Sequence, residues 1–212
     1  TVLLANATGA DFALAADVAT DAMALFGIEA DDMTRVVDGM VGVVNKSKFG
    51  VQDYNLALRN GGAAAAEMGV SLEDFNVVIA ASAEEMGSGM RAGTGYKTFL
   101  NRLTPSTMKE LGLITADGSN KFFDATGTMK DMNEVAIILN GAFKDLTDEQ
   151  KSAYRETIFG VDALGSAIAI GKEGEIVYTD LATAAEGLGV SQSTLNKYLA
   201  DGITGFEGLA AQ

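Results

Sequence analysis

The sequence predicts a mainly α protein: a compact multi-helix domain of short amphipathic helices with one small β-hairpin near residues 113–125. Three observations carry this expectation. Apolar residues recur at three- and four-residue intervals through most of the chain, polar residues suited to N-caps open these segments, and glycines close them. The period changes clearly only once, between Leu113 and Ala125.

The first predicted helix carries Phe12, Ala16, Ala19, Met23 and Phe26 on one stripe, with Thr8 as N-cap and Gly27 as the stop. The clearest helix covers about 31–44, where Met33, Val36, Val37, Met40, Val41 and Val44 face one side. A third runs from Val51 through Tyr54, Leu58, Gly61, Ala65 and Met68 to Gly69. Ser71 opens the fourth, with Asp74 three residues on in the position of a capping box, and Leu72, Phe75, Ile79 and Met86 on its apolar side. A glycine-rich break from Gly87 to Gly95 is expected to lead into a fifth helix bearing Tyr96, Phe99, Leu100 and Leu103. Thr104 and Pro105 suit the N-cap and first position of a short sixth that stops at Gly112.

Leu113, Ile114 and Thr115, then Asp117-Gly118, then Phe122 and Phe123 read as the hairpin, because Asp-Gly tolerates the positive dihedrals of a tight turn. Helix resumes with Val135, Ile138, Leu139, Ala142 and Phe143. Thr147 and Gln150 form a second capping box ahead of helices at 148–158, 161–170 and 175–188, and a last one starts at Ser191 with Leu195, Tyr198 and Leu199. The pairs Gly27-Ile28, Gly50-Val51, Gly69-Val70 and Gly189-Val190 repeat one device, a glycine ending one helix and an apolar residue tucked beneath the next. The expected organisation is a helical core domain at 1–170 with the hairpin insert at 113–125, then a C-terminal helical extension at 171–212 linking to a longer chain.

Composition narrows the chemistry. The 212 residues include no Cys and no His, which removes disulfides, thiolate metal sites and the commonest general base near neutral pH. Fifteen basic against 29 acidic residues leave a formal charge of −14 and a pI near 4.3, so a phosphate-binding surface is not expected to dominate and stable nucleic-acid binding is not expected. Charged residues interrupt every stretch before it reaches the roughly 20 apolar residues of a membrane-spanning helix. No signal-peptide pattern is visible near Thr1, and the absence of an initiating Met reads as a fragment or processed product.

Each candidate for chemistry has a plainer reading. Gly87-Ser88-Gly89-Met90-Arg91-Ala92-Gly93 lacks the spacing of a dinucleotide or Walker loop and is expected to be an interhelical loop. Asp117-Gly118-Ser119-Asn120 lacks the ligand alternation and distal Glu of a calcium loop. Glu84-Glu85 and Asp31-Asp32 are sequence neighbours that point about 100° apart on a helix, so neither is prearranged as an acid/base pair. The small-residue run Asn60-Gly61-Gly62-Ala63-Ala64-Ala65-Ala66 suits close backbone packing, with a hinge as its functional alternative. No residue is nominated as catalytic, cofactor-binding or metal-ligating, no cofactor is expected, and the chain is read as not an enzyme.

The ordered combination of Asp31-Asp32-Met33-Thr34-Arg35-Val36, Met68-Gly69-Val70-Ser71-Leu72-Glu73-Asp74, Arg91-Ala92-Gly93-Thr94 and Leu100-Asn101-Arg102-Leu103 resembles the core region of phage tail tape measure proteins. The likeness continues through Met108-Lys109-Glu110-Leu111-Gly112-Leu113, the segment 117–129, Leu146-Thr147-Asp148-Glu149-Gln150 and Ile158-Phe159-Gly160, and fades from Gly171 onward. The resemblance implies a structural virion component around which tail tube subunits polymerise, which sets tail length and leaves the tube when DNA is ejected. It implies as partners further copies of the chain, expected as a trimer, the tail tube, distal tail or baseplate hub proteins, and tail assembly chaperones, with assembly in the host cytoplasm. The rival classes are a muramidase-like module and a membrane-active helical domain.

The apolar stripe at 31–44 makes a direct prediction. Val37→Asp places an unpaired charge in its centre and should cost several kcal/mol, whereas Glu85→Lys should change stability by less than about 1 kcal/mol. Urea denaturation of the two variants checks this, and comparable losses would refute the stripe.

Overall fold

The computed structural model describes Ala5 and residues 8–154. The helices expected at 161–170, 175–188 and beyond Ser191, the division at residue 170 and the extension at 171–212 lie outside the described residues.

The first helix, α1 (Phe12–Phe26), starts at Asp11, whose carboxylate accepts from the Ala13 and Leu14 amides at 2.9 and 3.2 Å. Asp11, not Thr8, is therefore the N-cap. It ends at Gly27, where φ is +64° and the amide returns to the Met23 carbonyl, a left-handed cap that a side chain would strain. The buried stripe is Ala15, Val18, Ala19 and Ala22, rotated from the expected one, and Phe12 is left 54% exposed. Four small or β-branched residues let α1 lie close to its neighbours, which the longer stripe through Phe12 would not.

A 3-10 turn, Ala30–Asp32, leads into α2 (Met33–Lys46), which buries Val36, Val37, Met40 and Val41 as the periodicity required and Val43 besides, while Met33 and Val44 of the expected stripe are half-buried. The next helical stretch changes pitch midway: α3 (Val51–Ala57) passes into a π-turn, Leu58–Gly62, and on into α4 (Ala63–Glu67). Asn60 Nδ2 donates to the Leu56 carbonyl at 2.6 Å beside this turn. The wider π-turn brings Leu58, Gly61 and Gly62 all into the interior.

Ser71 caps α5 (Leu72–Met86) by accepting from the Asp74 amide at 3.0 Å, and its hydroxyl donates to Asp74 Oδ2 at 2.9 Å, the expected capping box. The break after it is much shorter than expected. Only Gly87 and Ser88 intervene before α6 (Gly89–Asn101), so Gly89, Gly93 and Gly95 are helical and buried rather than parts of a loop. Ser88 accepts from the Arg91 amide at the start of this helix, and Tyr96, Phe99 and Leu100 fill its inner face.

Thr104 and Pro105 open α7 (Pro105–Glu110) as predicted. The segment after it does not form a ladder of strands. Two isolated bridges occur instead, Ile114 with Asn120 and Phe123 with Met129. Each closes a loop of the same design: Lys121 N donates to Leu113 O and Lys130 N to Phe122 O, both at 2.9 Å, with Gly118 and Gly127 at φ +87° and +83° in the bends. Leu113 and Phe122, the residues just before each loop, turn into the core, and this inward turn ends the alternation that a hairpin needs. Asp131 then caps α8 (Met132–Phe143), and the Thr147–Gln150 capping box introduces α9 (Asp148–Tyr154), the amides of Thr147 and Gln150 being bound at 2.9 and 3.3 Å.

The centre of the fold is the pairing of α3, the π-turn and α4 with α6. A Cβ on Gly89 would lie 1.8 Å from the Asp53 carbonyl oxygen, one on Gly93 2.4 Å from that of Ala57, and one on Gly61 2.7 Å from that of Gly93. Asp53 meets Gly89 and Ala57 meets Gly93, so the two helices run parallel with their backbones in direct contact. Gly62, next in line, faces α1 through Leu25 at 3.2 Å. Around this axis α2 packs on α5, and α5 on α6 and α8.

Gly93→Val should therefore cost about 3 kcal/mol or more, because the obstruction is backbone that cannot swing aside. Gly141→Ala, where a Cβ meets nothing within 4 Å, should instead stabilise by up to about 1 kcal/mol. Urea midpoints read both signs, and equal, small effects would contradict the contact.

Candidate functional site

The interior carries a short polar network between aromatic rings. Phe75 is its hub, with ring centroids 5.6 Å from Phe26, 6.3 Å from Tyr54 and 6.1 Å from Tyr96, and Tyr96 lies 6.2 Å from Phe99. Such tilted and edge-on contacts add to the burial of large apolar area. Tyr54, fully buried, donates to Asn76 Oδ1 at 2.6 Å, and Tyr96 donates to Met132 Sδ at 3.3 Å. Burial pushes both phenols well above their ordinary range, so both remain neutral donors. Asp74 accepts from Ser71 Oγ and, at 3.2 Å, from the Met132 amide, tying the start of α5 to the start of α8.

A cleft of about 410 Å³ lies between the end of α1, the start of α2 and the α4–α5 connection. Apolar Leu25, Phe26, Ile28, Val70 and Leu72 line it together with charged Glu29, Asp32 and Arg35. Arg35 makes a two-pronged ion pair with Glu73, one prong from Nε and the other from Nη2 to Oε2 at 2.8 Å. This hydrogen bonding raises the Arg35 pKa and, against the effect of burial, lowers that of Glu73. The guanidinium is thus engaged by its partner.

The motifs weighed for chemistry are occupied by local structure. Gly87–Gly93 is a helix cap and the packed first turn of α6. Asp117 accepts from Thr115 Oγ1 and, at 3.2 Å, from the Ser119 amide; Asp124 accepts from Thr126 Oγ1 at 2.6 Å and the Thr128 amide at 3.0 Å. These bonds hold both carboxyls below the usual range, the hydroxyl contributing most in each. Glu84-Glu85 and Asp31-Asp32 are exposed on separate elements. Among the described residues no group of acidic side chains is placed to hold a metal ion, and no helix is long and apolar enough to cross a membrane. Sequence reasoning missed Gly89 and Gly93 as contact residues. The signal was present in Ser88 as a cap and in Ala92, Tyr96, Phe99 and Leu100, whose helical spacing extends back to Gly89.

The described residues form a helical body held by backbone contact, with its buried polar groups bonded to one another. Comparison gives the family. The chain matches the phage-related minor tail protein family over residues 1–160, and it belongs to that family. It is 27% identical over 173 residues to the tape measure protein of Pneumococcus phage Dp-1, covering 79% of this chain and 14% of that protein. It is 26% identical over 166 residues to the probable tape measure protein of Escherichia phage P2, covering 76% of this chain and 20% of that protein. The chain thus spans a fifth or less of the length of these relatives. No solved structure matches. The protein is a structural component of a phage tail.

Two stability predictions follow from the polar contacts. Tyr54→Phe should cost about 1–3 kcal/mol, because Asn76 loses a buried donor. Glu73→Gln should cost about 0.2–1 kcal/mol at neutral pH, as the pair is half exposed. Because the folded-state pKa of Glu73 is lowered, this contribution is present above the ordinary glutamate value of about 4.3 and is lost as pH falls through the folded-state value. Burial raises the pKa of Asp38 and so acts in the opposite sense, but it does so in both proteins. Denaturation midpoints of wild type and variant should converge between pH 6 and about pH 3; a constant gap would contradict the pair.

Proposed function

We propose that this chain is a folded segment of a tape measure protein, located in the interior or at the tip of a long, siphovirus-like tail, where it takes part in tail assembly, in setting tail length and in DNA ejection. The observation that supports this reading is the family match over residues 1–160, joined by two relatives named as tape measure proteins.

The helix lengths favour an end position over the ruler itself. A ruler gains most length per residue from a continuous helix, which rises about 1.5 Å per residue. The longest described helices here have 15 residues, about 22 Å each, and they fold back on one another through glycines. Such a segment adds bulk at one point of a tail, not length along it. Copies of the chain associate about the tail axis as a trimer and meet the tail tube and the distal tail or baseplate hub proteins, with assembly chaperones engaged beforehand in the host cytoplasm. A net charge of −14 on each copy lets DNA pass without being held, since like charge suppresses adhesion.

Density of intact tails tests this reading. The stretch should appear as a cluster of short helices, three-fold repeated, near one end of the tube. One unbroken helix along the tube, or a single asymmetric copy, would overturn it.

A further inference from the structure

The two loops between α7 and α8 are alike beyond their outline. Leu113-Ile114-Thr115-Ala116-Asp117-Gly118-Ser119-Asn120-Lys121 and Phe122-Phe123-Asp124-Ala125-Thr126-Gly127-Thr128-Met129-Lys130 follow one another without a gap, each nine residues long. They share alanine at the fourth place, glycine at the sixth and lysine at the ninth, with apolar residues at the first two places of each. Their backbones repeat bond for bond. The third amide donates to the seventh carbonyl, at 2.8 Å from Thr115 and 2.9 Å from Asp124. The sixth amide donates to the third carbonyl, at 2.9 Å from Gly118 and 3.1 Å from Gly127, and the ninth amide closes each loop onto its first carbonyl. The isolated bridges join the second place to the eighth in both. Burial repeats as well: the first residue is buried, the second half-buried and the next five exposed. Even the point of difference keeps the chemistry. In the first loop the Thr115 hydroxyl, at the third place, bonds to the Asp117 carboxylate at the fifth, and in the second loop the two are exchanged, Asp124 preceding Thr126.

We infer that residues 113–130 are a tandem repeat of one closed nine-residue module, and that a single copy suffices to join α7 to α8. Turn chemistry alone accounts for a glycine at positive φ in each bend. It does not account for equal length, for the same bonds at the same places, or for an acid and a hydroxyl exchanged as a pair. Each copy returns the chain to where it began. Lys121 N lies 2.9 Å from Leu113 O and Lys130 N 2.9 Å from Phe122 O, so the chain enters and leaves a module about one strand spacing, 5 Å, apart. A module can therefore be removed without a wide gap opening between the helices on either side. The far end is held independently of the loops, because the Met132 amide is bound by Asp74 and Met132, Val135 and Leu139 are buried. What each copy adds to the surface is an exposed five-residue tip with two hydroxyls and one carboxylate, and the repeat presents that tip twice.

Three deletions in the 212-residue chain test the module. Removing 117–125 crosses the boundary between the loops and joins Ala116 to Thr126, which leaves one complete module with Gly127 at its sixth place. Removing 117–124 or 117–126, one residue fewer or one more, puts Thr126 or Thr128 at that place instead, where a positive φ strains any residue with a Cβ. Circular dichroism and urea denaturation read all three. The nine-residue deletion should keep the wild-type helix content and a single cooperative transition, and its ratio of folded to unfolded chain should exceed that of both neighbours by about tenfold or more. Losses that rise steadily from eight residues removed to ten, or a nine-residue deletion that does not fold, overturn the sufficiency of one copy. The equivalence of the two loops is tested at full length. Thr115→Asp and Asp117→Thr made together give the first loop the order of the second and should leave the urea midpoint unchanged. Each change alone breaks the bond between the two side chains and should lower the folded-to-unfolded ratio by about threefold. A double variant as unstable as the two single losses combined would show that the loops are not copies of one module.

Discussion

Two parallel helical stretches touch backbone to backbone where Gly89 sits over Asp53, Gly93 over Ala57 and Gly61 over Gly93, and the rest of the molecule is arranged around that contact. Helices at this separation leave no room for side chains between them, so the side chains that would fill such a seam are displaced to its flanks. Tyr96 and Phe99 stack beside it on α6, Tyr54 stands on α3, and Phe75 from α5 reaches both tyrosines. The π-turn is part of the same solution, since it turns two adjacent glycines to two different neighbours and so lets α1 approach from a second side.

The polar groups inside this core serve position rather than chemistry. Tyr54 and Asn76 satisfy each other, and Asp74 fixes the first turns of α5 and α8 relative to one another. An unmet donor or acceptor at such depth costs about as much as the net value of several ordinary hydrogen bonds, so these pairs restrict how the helices can be assembled. At the surface the logic is different. Arg35 with Glu73 is a half-exposed pair of small energetic value, and the turn carboxylates of Asp117 and Asp124 are consumed by their own loops.

Much of this fold was legible in the sequence where local chemistry decides it. The Ser71–Asp74 and Thr147–Gln150 capping boxes, the Thr104-Pro105 start and the Val36, Val37, Met40 and Val41 stripe all depend on residues within a turn of one another. What was not legible depends on distant partners. Gly89, Gly93 and Gly95 look like a loop in isolation, and only the approach of Ala57 and Asp53 explains glycine inside a helix. The stripe of α1 shifted from Phe12 to Ala15 and Val18 because close neighbours favour small residues there. The expected hairpin became two single-bridge loops because Leu113 and Phe122 are drawn into the core. The absence of a nominated site residue followed from composition, and the family came from an ordered string of short motifs, none of them specific alone.

A seam made of glycine gives this body of short helices close contact with few interlocking side chains. The central claim is that α3, the π-turn and α6 form one cooperative unit. Native-state hydrogen exchange across a denaturant series tests it most directly. The account predicts that amides of 51–62 and 89–101 are the slowest to exchange and share one opening free energy and one denaturant dependence. Exchange of 89–101 at the rate of the 113–130 loops, while 51–62 stays protected, would contradict it.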